Sequence, residues 1–378
     1  MVQVTFPGRP LVSYPLVSFV YKLVYTGTII ARAPLWCLTY ALFRQSRPLS
    51  KWTFKQAFMV RLFREFVYLI SRTETLQPLT LKPGKEKERF EQIEPFSSDM
   101  YRGPLESKSV TPAVIGGTWY PHKPVDAGSA GSVMLHIHGG AFVVGDGRTD
   151  ASGPMAKRLL EQGKVGAIFC PQYRLSSRPT SAPFPAALQD SLTSYLHLVR
   201  TLGIPPASIT ISGDSAGGNL VIALLRYLVE YGPQLDIPQP GSAAVVAPWV
   251  APIKSLWPEI TITSNPNFNS DYLGVELCRW GARYYASEVS PSDPYITPLG
   301  HPFATPVPIF VSIGAAEIFE IDATQWTREM DRVEGNEIET YYEEGAPHDT
   351  LLVGEKLGWD ESAEEVARRI GVFIRQHA

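Results

Sequence analysis

The first 64 residues of the chain contain no Asp or Glu, yet nine of its 34 Lys and Arg fall there. The remainder carries 25 basic against 37 acidic groups, a net of −12 within a chain whose total is −3. The stretch over residues 1–64 is therefore one-sided in charge. Its basic groups are threaded through LVSYPLVSFVYKLVYTGTIIARAPLWCLTYALF, which is dominated by Leu, Val, Ile and aromatics. A nucleic-acid surface would set them on a polar, groove-fitting element, so no nucleic-acid partner is expected. An anionic lipid surface fits better, with association through residues 11–70. A clean apolar run is missing as well. Lys22 and Arg32 interrupt it, so no window of about 20 uncharged residues exists. The window 23–43 contains only Arg32, whose burial at mid-membrane would cost a few kcal/mol. The pattern of a secretory signal is absent too. Three readings stay open: a helix lying in the interface, a single span, or apolar residues packed on the protein as part of a lid.

Cysteine is scarce. Cys37, Cys170 and Cys278 are an odd number with no C-x-x-C spacing. That argues against a disulfide framework or a zinc site and fits a reducing, intracellular compartment. Internal repeats and low-complexity tracts are lacking. Apolar residues make up 44% and charged residues 19%, a balance that excludes disorder and suits a large core.

What is present begins with a helix. In TFKQAFMVRLFREFVYLI, Phe54, Phe58, Leu62, Phe66 and Leu69 recur at spacings of three and four. The stretch LKPGKEKERFEQIEP then reads as a solvated connection. After about residue 110 strands and helices alternate. VMLHIH, AIFCPQY, SITIS, AAVVAPW, PIFVSIG and IETYYEEG read as strands. FPAALQDSLTSYLHLV, AGGNLVIALLRYLV, ATQWTREMDRV and ESAEEVARRIGVFIRQH read as helices. This alternation predicts an α/β fold, a mostly parallel sheet with helices on both faces. In such sheets chemistry collects at the carboxyl ends of the strands.

At one such end stands Gly213-Asp214-Ser215-Ala216-Gly217, a Gly-x-Ser-x-Gly pattern between a strand and a helix. The tight turn holds the Ser215 hydroxyl above the sheet edge, and a side chain at either glycine would clash with the adjacent strand or helix. The bland alternative, Ser215 as a helix N-cap, needs only the serine. A serine nucleophile requires a base. Of seven histidines, His136 and His138 belong to a strand, His197 to a helix, His122 and His301 to Pro-containing loops, and His377 to the C-terminus. His348, in EEGAPHDTLL, follows the last strand on the same sheet edge as Ser215. Asp349 beside it reads as a local cap. HGGAF, residues 138–142, follows the first of these strands, and its consecutive small residues can present backbone N–H groups to an oxyanion. Gly140, Ala141 and the N–H of Ala216 would be the donors.

Together HGGAF, YRLSSRPTSAPFPAALQD, GDSAGGNL, SDPYITPL and GAPHD resemble the hormone-sensitive-lipase-like group of α/β-hydrolases, over roughly residues 112–375. The resemblance implies an α/β-hydrolase core, ester hydrolysis through an acyl-enzyme, no cofactor, and a helical cap. That cap would combine the N-terminal segment (1–108) with an insertion at about 251–290 in the catalytic domain (109–378). The insertion is rich in Phe268, Tyr272, Trp280, Tyr284 and Tyr285. Ala141 stands where the group usually has glycine, which leaves its N–H intact. In SIGAAEIFEIDATQ, Glu317 occupies the slot in which the group places an aspartate. Asp322, otherwise an N-cap for the helix that follows, is the alternative acid, and Glu320 lies between. The expectation is a serine carboxylic-ester hydrolase for a hydrophobic small-molecule ester, associated with an endomembrane surface. The same three residues would serve a thioesterase, a lactonase or an acyltransferase. A non-catalytic binding protein is the remaining reading. Plant hormone receptors that resemble the group have lost the catalytic histidine, and His348 is present here.

Overall fold

A computed structural model describes residues 9–126, 131–178 and 181–377. Eight strands form one sheet: β1 (Phe90–Ile93), β2 (Ile115–Tyr120), β3 (Val133–Ile137), β4 (Ala167–Gln172), β5 (Ile209–Asp214), β6 (Ser242–Val246), β7 (Ile309–Gly314) and β8 (Ile338–Glu343). Their order is β1-β2-β4-β3-β5-β6-β7-β8. The first two pairings, β1 with β2 and β2 with β4, are antiparallel. From β4 to β8 every pairing is parallel.

The helices are α1 (Pro15–Leu42), α2 (Phe54–Arg72), α3 (Thr149–Arg158), α4 (Ala186–Leu196), α5 (Ala216–Glu230), the short α6 (Gly232–Leu235) and α7 (Ile260–Thr263), α8 (Val275–Tyr285), α9 (Glu320–Asp331), α10 (Thr350–Leu357) and α11 (Asp360–Gln376). Side chains alternate across a strand, so each strand feeds two cores. Val133, Leu135 and Ile137 of β3 belong to the core on the side of α4 and α5. Met134 faces the other way, with Met155 of α3 and Val366, Ile370 and Phe373 of α11. Both faces are covered, which is why β3 is buried along its whole length rather than alternating.

The sequence expectation fails at the near edge of the sheet. The stretch read as a solvated connection contains β1, whose Phe90 and Ile93 are buried, and a 3-10 turn whose Glu86 is buried and accepts from the Thr149 N–H at 3.1 Å. β2, IGGTWY, carries a glycine pair that reads as a chain breaker. There the phenyl ring of Phe169 lies where a Cβ on Gly117 would stand, 2.1 Å away, so tertiary packing rather than turn chemistry demands the glycine.

The N-terminal segment folds as two stacked helices. Thr53 and Gln56 form a reciprocal capping box that starts α2. Glu65 of α2 accepts from the Tyr25 hydroxyl at 2.5 Å and pairs with Arg32 at 3.2 Å and with Arg61 at 2.8 Å. The charge that interrupts the apolar run of α1 is thus neutralised by its neighbour. Ser18 alone is buried along α1, while Leu16 is 84% and Phe19 69% exposed. These apolar residues do not pack on the protein. α2 is tied to the body: just before it, the Trp52 indole donates to the Gly345 carbonyl at 2.7 Å and meets Trp359 edge-on.

Candidate active site

β3 leads through α3 to β4 on one side, while β5 leads through α5 to β6 on the other. The crevice above β3 and β5 lies where these connections part, the usual place for a site in such sheets. Ser215 stands there, between β5 and α5, at φ 53° and ψ −117°. A non-glycine residue in this region is strained by about 1–3 kcal/mol. The hydrogen bond from the Ser215 N–H to the Val246 carbonyl, at 2.9 Å, helps to hold it. Its side chain caps nothing, so the N-cap alternative has no hydrogen bond behind it. A Cβ on Gly217 would lie 1.9 Å from the Ile137 carbonyl oxygen, which is why the turn needs glycine after the serine.

His348 lies in the loop between β8 and α10, is buried, and lines the same cavity as Ser215. Its Nδ1 is 2.5 Å from Oε2 of Glu317, which is wholly buried. Oε1 of Glu317 accepts from the Gly314 N–H at 3.1 Å. Burial pushes the Glu317 carboxyl well above the usual carboxylate range, the Glu343 charge adds to this, and the Gly314 N–H opposes it. Burial also holds the His348 imidazole below its ordinary value, against the charges of Asp271, Asp214 and Glu343.

The structure separates the other two acids from the histidine. Asp322 sits in the first turn of α9, which begins at Glu320 rather than after Asp322, and pairs with Lys254 at 2.5 Å. It is therefore not the N-cap that sequence suggests. Glu320 accepts from the Thr324 hydroxyl at 3.3 Å. Asp349 does cap: its Oδ1 accepts from the Leu352 N–H at 3.2 Å at the start of α10.

The loop after β3 turns sharply. Gly140 has φ 99°, and a Cβ there would lie 2.2 Å from the Val144 carbonyl oxygen. Ala141 has φ 54°, a left-handed conformation normally reserved for glycine. Both residues line the cavity beside Ser215. Asp214 sets the loop's position. Its two carboxylate oxygens each accept from the Gly139 N–H at 3.0 Å, and Oδ1 also meets His136 Nε2 at 3.1 Å. Burial pushes the Asp214 carboxyl up, but the hydrogen bond and charge of His136 outweigh it and hold the group below the usual range. Asp349 is driven well above that range by burial and by the Asp214 charge. Sequence reasoning passed over Asp214 and His136. The signal was available, since the carboxylate is the second letter of the Gly-x-Ser-x-Gly pattern.

Two motifs turn out to be scaffolding. Arg174 Nε grips Asp190 at 2.9 and 3.1 Å, joining the two ends of YRLSSRPTSAPFPAALQD. The Tyr173 hydroxyl donates to the His138 carbonyl at 3.0 Å. Asn219 Nδ2 donates to the Trp249 and Ile296 carbonyls at 2.9 and 2.8 Å, which secures SDPYITPL against α5. The rest of the cavity wall is mostly apolar. Phe63, Phe66 and Val67 come from α2, and Tyr272, Leu277 and Cys278 from the segment between β6 and β7. Tyr285, by contrast, is core, stacked on Phe142 with ring centroids 3.8 Å apart.

The model of the alpha/beta hydrolase fold family matches residues 134–352, more than half of the chain. Similar proteins include the acetyl-hydrolase of Streptomyces hygroscopicus, 29% identical over 193 residues that make up 51% of this chain and 60% of that protein. An esterase of Acinetobacter venetianus is 28% identical over 211 residues, 54% of this chain and 63% of its own length. The chain thus spans about six-tenths of the length of these relatives. Among solved structures, an esterase from the bacterial hormone-sensitive lipase (HSL) family superposes with a TM-score of 0.61 at 21% identity. The match covers 86% of this chain and 99% of that one, and it bears on the fold.

Proposed function

We propose, for a chain that belongs to the alpha/beta hydrolase fold family, that the cavity above β3 and β5 hydrolyses hydrophobic carboxylic esters through an acyl-enzyme on Ser215. The observation that carries this reading is the convergence of a strained serine and a buried imidazole–carboxylate pair on one apolar cavity.

His348 Nδ1–H donates to Glu317, which leaves Nε2 free to take the Ser215 proton. The Ser215 Oγ adds to the ester carbonyl, and the N–H groups of Gly140, Ala141 and Ala216 receive the oxyanion. Ala216 is the first residue of α5, so the helix dipole adds to its N–H. Collapse expels the alcohol, protonated by His348. Water then repeats the steps with His348 as base and releases the acid. Glu317 stabilises the imidazolium in both halves, and no cofactor is called for. The aromatic and aliphatic walls from α2 and the β6–β7 segment favour a hydrophobic ester.

The second part of the proposal concerns location: α1 lies in the surface of an anionic membrane. Its support is an apolar face left bare, a paired Arg32 on the opposite side, and an acid-free N-terminal stretch. Anionic headgroups contribute about 1 kcal/mol per nearby basic residue.

A fluorophosphonate probe and a series of p-nitrophenyl esters test the chemistry. The probe should modify Ser215, and Ser215→Ala should lose both labelling and turnover. Wild-type turnover in that variant would refute the proposal.

A further inference from the structure

We infer that Asp271 is a positioning residue for the acid–base pair, a second buried carboxylate that stands beside His348 and fastens the β6–β7 segment to the loop carrying Glu317. The inference deepens the proposed function and rests on it.

Asp271 is fully buried, and one side-chain donor atom from each of Asp271, Glu317 and His348 lies within 4.8 Å of the other two. Its Oδ2 accepts from the Ile318 N–H at 2.8 Å and its Oδ1 from the Leu273 N–H at 3.2 Å. Further bonds run between the same two stretches. Asn265 Nδ2 donates to the Ile318 carbonyl at 2.9 Å, Asn267 Nδ2 to the Glu317 carbonyl at 3.0 Å, and Ser270 Oγ to the Ala316 carbonyl at 2.9 Å. Residues 265–271 therefore clamp the turn that presents Glu317. Arg64 of α2 reaches this segment from outside and donates to the Asp271 backbone carbonyl at 3.2 Å, not to its carboxylate.

The two carboxylate oxygens match the Ile318 and Leu273 N–H groups, where an amide would offer one acceptor and set its NH2 against the other N–H. Two N–H donors leave most of the negative charge uncompensated, and the cationic group within its reach is the imidazolium that forms on His348 during turnover. Burial pushes the Asp271 carboxyl up to about 6, and the His348 charge is the largest influence opposing this. Conversely, Asp271 is the foremost of the charges that favour the imidazolium against its burial.

The other groups facing His348 and Asp271 are Glu317, Glu343 from the end of β8, Asp214 on the elbow side, and Tyr272, whose ring meets the imidazole edge-on and whose hydroxyl burial keeps protonated; Asp349 follows His348 in the chain. Around Asp271 stand Arg64 of α2 and the Cys278 thiol of α8, which burial keeps protonated. Further off, Glu276 acts on Arg64 and Cys278, and Glu320 on Glu317. All of these remain when Asp271 alone is changed.

The experiment compares the full-length chain with Asp271→Asn, Glu317→Gln and the double variant, using kcat/KM against pH on one p-nitrophenyl ester. Without the Asp271 charge, the imidazolium is less favoured. The acid limb of the Asp271→Asn profile should therefore move down by about one pH unit, because an opposite charge at this range shifts a pKa by about 1–3 units. Glu317→Gln should retain a remnant of activity that the double variant loses, more than the product of the single effects. An unmoved acid limb together with a double variant no worse than Glu317→Gln overturns the inference. Asp271→Ser, which keeps one oxygen for the Ile318 N–H, replaces Asn if that variant does not fold. Probe labelling at Ser215 separates the two failures. If labelling does not depend on Ser215, the acyl-enzyme reading falls and this one with it. If it does and the limb stays put, Asp271 alone falls.

Discussion

α1 and α5 are both apolar helices, and the fold treats them in opposite ways. Every residue of α5 from Ala216 to Leu228 is buried, because β3, β5, β6 and α4 surround it. Among the described residues α1 rests chiefly on α2, through Tyr21, Tyr25 and Arg32, and leaves Leu16, Phe19, Leu23 and Leu38 in the open. Burying a leucine gains about 1.5–3 kcal/mol wherever the apolar surroundings come from. For α5 the surroundings are the sheet; for α1 the chain supplies half of them at most. An apolar face states a requirement and leaves open what meets it.

The sharpest separation of the two regions should come from Ser215→Ala, with a fall of about 10^6-fold in kcat and no change in pelleting with anionic vesicles. A change in both would tie the helices together and break the contrast. Glu317→Ala should lower kcat by up to about 10^4-fold. Asp322→Ala, which gives up only the Lys254 pair, should keep kcat and cost at most about 1 kcal/mol. If instead the Asp322 variant is folded and inactive while the Glu317 variant turns over, the acid role belongs to Asp322.

Alanine at one glycine in each helix probes the difference in packing directly. Gly217→Ala drives a methyl into the Ile137 carbonyl and should cost about 3 kcal/mol in denaturant unfolding. Gly27 of α1 has nothing within 4 Å of its missing Cβ, so Gly27→Ala should gain up to about 1 kcal/mol of helix propensity. A loss at Gly27 would mean that another surface covers α1 in solution. Leu23→Glu in α1 should lower vesicle binding by about tenfold or more, since it forfeits about 1.5–3 kcal/mol of apolar burial. Its kcat on a short soluble ester should stay at the parent value. High salt should weaken parent binding, and persistence in high salt would favour a spanning helix over an interfacial one.

The smallest effect expected is a shift in pH. His348 must be neutral to accept the serine proton, and burial holds its imidazole down. The acid limb of kcat/KM should therefore have its midpoint below the ordinary value of about 6.5. A midpoint above that value would mean that the surrounding carboxylates outweigh burial.

The elbow was legible because its constraints are local. A strand, a glycine-flanked serine and a helix follow one another within a dozen residues, and the close approach to Ile137 needs no distant information to be anticipated. β3, β4 and β5 were legible for the same reason, as apolar β-branched runs of strand length. The edge strands were not. β1 hides among charges because it is four residues long and buries only Phe90 on one face and Ile93 on the other, and β2 contains glycines that only the rings of Phe90 and Phe169 explain. The helix α9 begins a turn earlier than its apolar pattern suggests, which removes Asp322 from the capping position.

From its own letters the chain determined the run of strands from β3 to β8, the turn that raises Ser215, and the separation of an acid-free, apolar N-terminus from an acidic body. These follow from propensity, period and charge counts, which act over short spans. Only the tertiary structure decided which acid meets His348, because Glu317 and Asp322 differ by five positions and the direction of one helical turn. It also decided that Asp271, 46 positions before Glu317, comes to the same imidazole, and that Arg32 is neutralised by Glu65 across a helix pair. Contacts of that kind depend on where the sheet brings separate loops together, and no local preference encodes them.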